Sequence, residues 1–471
     1  MSVQTLPING KEMSTETTFP VVNPATGETI AGAPLPTIGQ IDEAVTAARD
    51  AFPAWSSLGH EQRQNLLLEC AGELAKHSER IGELLTREQG KPLKEGKREV
   101  LQAAHYFKVT AGLSLPEEVI EDSDHRLVKV VHKPLGVVAA IAAWNFPLLL
   151  AAFKIAPALL AGNTVVLKPS PETPLSTLEV IRILNGILPA GVLNAVTGKE
   201  KEGQHLVTHP LVQKVSFTGS VPVGKIIASQ AAPSLKRLTL ELGGNDAAIV
   251  LPDCDPAKIA KAIFWGGFVN NGQTCIAIKR VYVHDDIHDE LVEAVAAIAG
   301  SMTYGDGTDP ASRLGPLATR AQQRHVAALV EDARAKGGTI HCGGEDPGPD
   351  SSGFFYPPTV VSGVAEGCRL VDEEQFGPAL PFIRFKDTED ALARANASSF
   401  GLGGSVWTAD ADAGAQLLAR MECGSAWLNS HTDFSLEAPF GGAKESGISV
   451  ENGTDGLKAL CQKQTLYLPK K

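Results

Sequence analysis

The order of apolar and polar residues predicts strands and helices that alternate along most of the chain. Apolar residues recur at helical spacing over residues 41–54 and 61–88, which predicts helices there. From residue 134 onward, short β-branched runs such as Thr164–Lys168 alternate with helical stretches, and the alternation starts afresh near residue 245. This pattern is typical of βαβ units, so we expect two open α/β domains with mostly parallel sheets.

Two segments do not fit the alternation. Residues 112–132 and the tail "LKALCQKQTLYLPKK" both have strand-like patterns outside the βαβ units. A small protruding sheet is therefore expected. Such a sheet leaves an open edge, which another subunit commonly covers, so we expect a homodimer or homotetramer.

One apolar stretch is nominally long enough to span a membrane. Residues 134–153, "PLGVVAAIAAWNFPLLLAAF", contain no charged side chain. Asn145 and Pro147 interrupt the stretch, and proline suits the first position of a helix. We therefore predict a buried strand near residues 136–143, a turn at "WNFP" and a helix opening at Pro147, and no membrane partner.

Composition and charge narrow the classes of function. The 471 residues carry a net charge of −12, which argues against a nucleic-acid partner. The seven cysteines are scattered without a CxxC pair, which argues against a disulfide framework and a zinc site and favours a reducing compartment. No secretory signal is recognisable, so a cytoplasmic location is expected and no metal site is predicted.

A glycine-rich turn suggests a site for an anion. Residues 219–225, "GSVPVGK", fit most of a P-loop, but Ile226 stands where a magnesium-binding hydroxyl is required. A nucleoside triphosphatase is therefore disfavoured. A strand followed by glycine and a helix N-terminus still suits a phosphate group, and an ordinary turn remains the alternative.

Three further residues follow predicted strands or turns. Cys275 lies in "NNGQTCIAIKR", Glu241 in "LELGG" and Asn145 in "WNFP". Each has an ordinary explanation: a buried cysteine, a capping carboxylate and a turn asparagine. If they converge, they form a nucleophile, a base and an oxyanion donor, which is the set that acyl chemistry requires. Spacing alone leaves both possibilities open.

Seven motifs in series resemble the NAD(P)-dependent aldehyde dehydrogenase superfamily over nearly the whole chain. Glu241 and Cys275 stand 34 positions apart, as in that family. The motifs, in order, are "WNFP" (144–147), "GNTVVLKPS" (162–170), "FTGS" (217–220), "LELGG" (240–244), "GQTC" (272–275), "EEQFGP" (373–378) and "PFGGAKESG" (439–447).

The resemblance implies the catalytic roles. Cys275 is expected to attack the aldehyde carbon, while the Asn145 side-chain amide and the Cys275 backbone N–H hold the oxyanion. Glu241 is expected to activate the water that hydrolyses the thioester. Lys154 and Glu451 match positions that orient groups or relay protons.

The resemblance also implies residues for cofactor and substrate. Lys168 is expected on the adenosine ribose, Ser220 on the pyrophosphate and Glu374 on the nicotinamide ribose. The remaining cofactor positions are Trp144, Ser170, Gly219, Gly243 and Phe376. The expected walls of the aldehyde tunnel are Phe146, Phe153, Phe268 and Phe434, for which a core position is the alternative.

The expected organisation follows the family. A Rossmann-like dinucleotide-binding domain comprises residues 1–111 and 133–241, and a catalytic domain comprises residues 242–441. Residues 112–132 and 442–471 form the oligomerisation element. The expected reaction is oxidation of an aldehyde, a small-molecule partner, to the carboxylic acid with hydride transfer to NAD(P) and hydrolytic deacylation. A coenzyme A-acylating enzyme and a non-catalytic protein on the same scaffold are the alternatives.

Two departures from the family's pattern leave questions open. Pro171 stands where many NAD-preferring relatives have a glutamate that repels a 2′-phosphate, so NAD is expected and NADP is possible. Ser449 stands where glycine is common, and either local backbone strain or no effect follows from it. The tunnel-lining motifs contain no arginine, and the phenylalanines favour a medium-sized aliphatic or aromatic aldehyde.

Overall fold

The computed structural model describes residues 4–345, 348 and 352–470, and its helices follow the predicted alternation. Two short 3₁₀ turns lie at Ala232–Ser234 and Val269–Gly272. The α-helices are α1 Ile38–Ser57, α2 His60–Lys76, α3 Ser78–Gln89, α4 Leu93–Ala111, α5 Pro147–Ala161, α6 Leu175–Asn185, α7 Glu200–Thr208, α8 Val221–Ala231, α9 Pro256–Phe268, α10 His288–Gly300, α11 Arg320–Ala335, α12 Arg369–Asp372, α13 Thr388–Asn396, α14 Ala411–Leu418 and α15 Gly453–Lys458.

The strands are mostly short, as expected for βαβ units. They are β1 Leu6–Ile8, β2 Lys11–Met13, β3 Thr17–Val22, β4 Thr29–Leu35, β5 Glu118–Asp122, β6 Arg126–Pro134, β7 Val137–Ile141, β8 Thr164–Lys168, β9 Leu193–Ala195, β10 Val212–Thr218, β11 Arg237–Glu241, β12 Asp246–Val250, β13 Ile278–His284, β14 Thr339–Cys342, β15 Thr359–Ser362, β16 Ala379–Phe385, β17 Phe400–Gly401, β18 Gly403–Trp407, β19 Ser425–Leu428, β20 Ala443–Lys444, β21 Gly447–Ile448 and β22 Cys461–Pro469.

The parallel strands of the first large sheet follow the strand order of a Rossmann fold up to its fifth strand. Its order is β21-β11-β10-β7-β8-β9, and every pair except β21 with β11 is parallel. The chain runs outward from β7 in both directions, so the order reverses between β7 and β10. Ligands bind outside the carboxyl ends of the strands at such a point. The predicted Rossmann-like α/β architecture is confirmed.

The second large sheet has seven strands in the order β14-β15-β16-β13-β12-β18-β19. Only β14 runs antiparallel to its neighbour. The two neighbouring inner strands β12 and β13 are buried except at His284, as expected for a sheet covered by helices on both faces, although β13 also carries Lys279 and Arg280. This sheet supplies the segment that carries Cys275.

A three-stranded antiparallel sheet forms from the two segments that did not fit the alternation. Its order is β22-β6-β5, and β22 pairs with β6 from Cys461 opposite Pro134 to Pro469 opposite Arg126. Within residues 442–471, β21 instead joins the first large sheet beside β11. The expected domain boundaries themselves stay a prediction.

The apolar stretch at residues 134–153 contains a strand and the start of a helix, as predicted. β7 ends at Ile141 and α5 opens at Pro147, and among the described residues no helix is long and apolar enough to cross a membrane.

The helix expected at residues 61–88 differs from the prediction. Residues 61–88 form two helices because the chain leaves helical geometry at His77, which allows the apolar sides of α2 and α3 each to pack against α4.

Candidate active site

A cavity of about 230 Å³ lies at the carboxyl ends of β7, β10 and β11, facing the segment before β13. Eight of the sequence-predicted site residues line it. They are Trp144, Asn145, Gly219, Ser220, Gly243, Cys275, Glu374 and Phe376. The cavity therefore gathers residues that are up to about 230 positions apart in the sequence, and it lies at the reversal of strand order.

A left-handed turn presents Cys275 to this cavity. Asn270 and Asn271 have φ of 51° and 57°, and Gly272 has φ of 75°. A Cβ on Gly272 would lie 2.3 Å from the Gly377 carbonyl oxygen, so only glycine fits there. The amide-and-glycine sequence before the cysteine thus provides the tight turn that leaves Cys275 half-buried in the cavity lining.

A buried lysine that the sequence analysis missed supports this turn. The Lys279 ammonium donates hydrogen bonds to the carbonyl oxygens of Thr274 at 2.9 Å and Cys275 at 2.7 Å. It also lies 3.8 Å from a carboxylate oxygen of Glu374. One cation therefore connects the nucleophile segment with the segment that carries Glu374.

The resting state of Cys275 is a thiol. Burial raises the pKa of this thiol to about 12, and the Lys279 ammonium opposes the shift. The carboxylates of Glu374, Asp246 and Glu241 add to the increase. Hydrogen-bond donors near a thiol lower its pKa in general, but desolvation is the largest effect at Cys275. Attack therefore requires removal of the thiol proton.

Asn145 is buried and reaches the cysteine loop. Its Nδ2 group donates to the Gln273 carbonyl oxygen at 3.1 Å. Its own carbonyl oxygen accepts a hydrogen bond from Asn270 Nδ2 at 3.0 Å. These two hydrogen bonds join the turn after β7 to the turn before β13, and they place the Asn145 side-chain amide beside the loop that carries Cys275.

Glu241 is a buried carboxyl group at the end of β11. Among the described residues, neither of its oxygens has a hydrogen-bond partner. Burial and the neighbouring Glu451 carboxylate raise its pKa well above the usual range, while the Lys154 ammonium opposes the shift. A carboxyl group with a raised pKa and free oxygens is suited to proton transfer near neutral pH.

Lys154 and Glu451 form a buried ion pair behind Glu241. Lys154 Nζ lies 2.6 Å from Glu451 Oε1 and donates to Thr218 Oγ1 at 2.7 Å. Ser216 Oγ donates to the same Glu451 oxygen at 3.1 Å. Both predicted residues therefore lie where their charges act on Glu241.

The opposite side of the cavity suits an anionic, dinucleotide-like group. Ser220 is the N-cap of α8 and makes no side-chain capping bond, so the N–H groups of Val221 and Val223 have no side-chain cap, while Pro222 between them has no N–H group. A Cβ on Gly219 would lie 2.3 Å from the Phe217 ring, and one on Gly243 would lie 2.3 Å from Glu374 Oε2. Backbone can therefore approach a ligand closely at both glycines.

The Glu374 segment is held by helix α11. Glu374 accepts a hydrogen bond from Gly244 N–H at 2.9 Å, and Phe376 meets Trp144 edge to face at 5.2 Å between ring centroids. Gln322 donates to the carbonyl oxygens of Gln375 and Phe376. Gln322 and His325 also line the cavity, although no sequence motif marked them.

Lys168 ends β8 and Ser170 follows it, further along the same sheet edge, and neither residue is in the cavity lining. Burial lowers the pKa of Lys168 to about 8, and Glu202 opposes this. Its side chain passes close to Gly203, the Cβ position of which lies 3.6 Å from Lys168 Cε. Ser170 Oγ accepts a hydrogen bond from Glu172 N–H. Their cofactor roles stay predictions.

The four phenylalanines occupy different surroundings. Phe434 lines a groove of about 570 Å³ and meets Phe153 edge to face. Phe146 lies half-buried under the Lys91 ammonium, whereas Phe268 stacks on Phe264 in the core of the second sheet. The tunnel-wall roles stay predictions. The other residues of this groove are Arg98, Gln102, His105, Val109, Leu149, Thr432, Asp433, Ser435, Leu436 and Glu437.

Three potential metal ligands cluster away from this cavity, between α1 and α7. Asp42 Oδ1 lies 2.6 Å from His205 Nε2 and 3.4 Å from His209 Nε2. Leu211 N–H donates to His209 Nδ1, so the proton of the neutral ring lies on Nε2 and points to Asp42. This tautomer leaves Nε2 without a lone pair for a metal, and the group links the two helices by hydrogen bonds.

The fold and the cavity together are those of an α/β enzyme with a cysteine facing a ligand cleft. A family model described as the aldehyde dehydrogenase family matches residues 11–466. The chain belongs to the aldehyde dehydrogenase family.

Similar proteins cover almost the whole chain. It is 37% identical to an aldehyde dehydrogenase of a Fusarium species, over 98% of both chains. It is 37% identical to a phenylacetaldehyde dehydrogenase of Pseudomonas fluorescens, over 96% of this chain and 92% of that one. The NAD⁺ complex of an aldehyde dehydrogenase from Bacillus cereus superposes with a TM-score of 0.97 at 34% identity, over 100% of this chain and 97% of that one.

Proposed function

We propose that this enzyme uses NAD to oxidise an aldehyde to its carboxylic acid through a thioester on Cys275. The observation that carries the proposal is the single cavity shared by Cys275, Asn145, Ser220 and Glu374. The free helix N-terminus at Ser220 and the close-approach glycines fit a pyrophosphate. NAD bound there supplies the hydride acceptor.

The residues divide the chemistry between two steps. In the first, the Cys275 thiol loses its proton and its sulfur attacks the aldehyde carbon, and the Asn145 amide and the Cys275 backbone N–H bind the oxyanion that develops. The adduct becomes a thioester when its carbon loses a hydride, which a nicotinamide held in the cavity would accept. In the second, Glu241 takes a proton from the water that attacks the thioester. Lys154 and Glu451 adjust the protonation of Glu241 by their charges. The acid then leaves and the thiol is restored.

We infer that the substrate is a medium-sized aliphatic or aromatic aldehyde. Phe153 and Phe434 form an aromatic pair at the groove, and the similar Pseudomonas fluorescens protein is a phenylacetaldehyde dehydrogenase. Arg98, His105, Asp433 and Glu437 also line the groove, so both charge signs are present. The arginine that the motifs lacked is thus contributed by α4.

Cofactor preference, location and assembly complete the proposal. Pro171 can neither accept a ribose hydrogen bond nor repel a 2′-phosphate, and we expect NAD with detectable use of NADP. All seven cysteines lie in the described part of the chain as free thiols, which supports a cytoplasmic location.

The apolar residues of the three-stranded sheet support a homodimer or homotetramer. We retain 1–111 with 133–241, 242–441, and 112–132 with 442–471 as the three domains.

The test follows the formation of reduced cofactor with phenylacetaldehyde, hexanal and acetaldehyde, with NAD or NADP and with or without coenzyme A. We expect the highest kcat/KM with NAD and one of the two larger aldehydes, and no turnover by Cys275→Ala. Full activity of Cys275→Ala contradicts the mechanism, and faster turnover with coenzyme A identifies an acylating enzyme. A preference for acetaldehyde contradicts only the substrate class.

A further inference from the structure

A buried ion pair next to the cavity has no role in the chemistry described above. Lys91 Nζ lies 2.5 Å from Glu99 Oε2, and their side chains are 2% and 1% exposed. Burying two charges costs several kcal/mol per ion, and the attraction between them often fails to offset that cost. A pair this deeply buried adds little net stability, so its other contacts indicate its role.

The second oxygen of Glu99 caps helix α5. Phe146 is the N-cap residue of this helix and offers no side-chain acceptor, and Pro147 follows it without an N–H group. Glu99 Oε1 accepts hydrogen bonds from Leu148 N–H at 2.9 Å and Leu149 N–H at 3.3 Å. A carboxylate from α4 therefore satisfies the free N–H groups at the start of α5 and complements its dipole.

The ammonium of Lys91 holds the residue before that cap. Lys91 Nζ donates to the Asn145 carbonyl oxygen at 2.9 Å and lies 4.2 Å from the centroid of the Phe146 ring. With Glu99 on Leu148 and Leu149, the pair thus contacts both Asn145 and the start of the helix that follows it. Burial lowers the pKa of Lys91 and the Glu99 carboxylate opposes this.

The backbone at Lys91 is itself fixed. Gly90 has φ of 99°, and a Cβ there would lie 2.6 Å from Pro316 Cγ. Lys91 N–H donates to Gln89 Oε1 at 3.0 Å, and Leu93 N–H donates to the Gly307 carbonyl oxygen at 2.9 Å. The segment that carries the Lys91 ammonium therefore packs against the loop that contains Gly307 and Pro316, so the position of the ammonium is set before any substrate binds.

We propose that Lys91 and Glu99 are positioning residues that hold the side-chain amide of Asn145 where it meets the developing oxyanion. The inference rests on the proposed role of Asn145. An oxyanion donor is effective only when its geometry is fixed in advance, and loss of one donor costs about 10²–10³ in rate. Displacement of the turn should cost part of that factor, about 10–100-fold, without any change in the reacting groups.

The experiment measures the single-turnover rate of reduced-cofactor formation, which reports acylation. Lys91→Met removes the ammonium at similar length, and Glu99→Gln keeps an acceptor oxygen for α5. We expect both to slow this rate about 10–100-fold while KM for NAD changes less than about twofold. The matched control is Glu88→Gln: Glu88 is also buried and caps another helix, α6, through Leu175 and Ser176 N–H, and should leave the rate unchanged.

A double-mutant cycle separates positioning from a general effect on the fold. In the Asn145→Ala background, Lys91→Met or Glu99→Gln should add less than about a threefold loss, because the donor they position is gone. Losses that multiply, or an equal loss in Glu88→Gln, overturn the inference. Should Lys91→Met not fold, the Glu99→Gln cycle decides alone. Wild-type acylation in Asn145→Ala contradicts the proposed role of Asn145 itself.

Discussion

The reactive residues of this enzyme are kept uncharged by their surroundings until they are needed. Burial raises the pKa of both the Cys275 thiol and the Glu241 carboxyl group. Each therefore resists ionisation in the free enzyme, and each becomes a strong nucleophile or base once its proton is removed. The Lys279 ammonium opposes the pKa shift of Cys275, and the Lys154 ammonium opposes the pKa shift of Glu241.

The thiol form of Cys275 gives a pH dependence. Because the pKa is about 12, only the small thiolate fraction reacts with iodoacetamide, and that fraction rises tenfold per pH unit below the pKa. We expect alkylation of the enzyme without cofactor to accelerate continuously from pH 6 to pH 9. Peptide mapping against Cys275→Ala corrects for the other thiols. A plateau below pH 8 would contradict the assigned resting state.

Removal of the carboxyl group at position 241 should separate the two steps. Glu241→Gln keeps the shape but cannot take the proton of the attacking water, so deacylation should fall about 10²–10⁴-fold. We expect a burst of about one reduced cofactor per active site followed by slow turnover. The exposed Glu445→Gln is the control and should show wild-type rates. Uniform slowing of burst and steady state would instead assign Glu241 to acylation.

The sequence identifies reacting residues better than supporting ones. Cys275 and Asn145 lie in motifs whose order alone predicted them. Lys91, Glu99 and Lys279 were not predicted, because a lysine beside a turn or a glutamate on a helix has the same sequence pattern as a solvated charge. Their function comes from contacts with distant backbone groups, which only the folded arrangement brings together.

At the scale of elements, backbone conformation explains one departure from the family's pattern. Ser449 follows β21 and has φ of 69°, in the left-handed region where glycine is usual. Of the two outcomes that the sequence left open for Ser449, the backbone conformation favours strain. Ser449 lies two residues before Glu451, so the strained backbone is next to a proposed site residue.

Relief of this strain should stabilise the protein. The left-handed conformation costs a residue with a Cβ roughly 1–2 kcal/mol, while glycine loses about 0.5–1 kcal/mol through its freer unfolded chain. Ser449→Gly should thus raise the free energy of unfolding by about 0.5–1 kcal/mol in urea titration. Ser56→Gly, inside α1, is the control and should lower it by a similar amount. A loss in Ser449→Gly would show that the hydroxyl group compensates.

The cap of α6 predicts a pH-dependent stability. Burial raises the pKa of Glu88 to about 7, with Ser176 hydrogen bonds opposing the shift. The folded state thus holds this proton more tightly than the unfolded one. The stabilisation of the folded state by this protonated carboxyl group is complete below pH 4.5 and is lost as the pH rises through about 7.

The loss should amount to about 1–3 kcal/mol, and it should disappear in Glu88→Gln. Unfolding titrations at pH 5 and pH 8 measure it, with the exposed Glu445→Gln as control. An equal pH dependence in Glu88→Gln and the wild type would assign the change to other groups.

The elements themselves were largely predictable because they follow hydrophobic periodicity. β8 matches Thr164–Lys168 and α5 opens at Pro147, as expected. The break at His77 was not predicted, because the apolar spacing continues through it and only packing on α4 requires two helix directions. Pairing of β21 with β11 could not be inferred either, since a two-residue strand has no periodicity.

At the scale of the whole molecule, the three-stranded sheet exposes apolar side chains. Val119 and Ile120 on β5 are 61% and 64% exposed, and Tyr467 on β22 is 67% exposed. Both strands form edges of the sheet, so they offer free backbone groups as well as apolar surface. This sheet is accordingly the surface that we expect a second copy of the chain to cover.

Charge on this sheet should dissociate the assembly. Val119→Lys combined with Tyr467→Lys places two ammonium groups at the expected interface, where desolvation opposes association. We expect a fall in molar mass by light scattering, and a lower apparent melting temperature. Leu68→Lys, at a 45% exposed leucine on α2, should change neither. A monomeric wild type would contradict the proposed assembly.

The return of the C-terminal segment to β11 and to Lys154 has a consequence for synthesis on the ribosome. A nascent chain stalled before residue 447 lacks both β21 and Glu451, and leaves the buried Lys154 ammonium without the carboxylate with which it forms an ion pair. The first large sheet is thus incomplete until residues 447–451 have been translated. A premature stop there should yield a product that quality control degrades, rather than a shortened enzyme with partial activity.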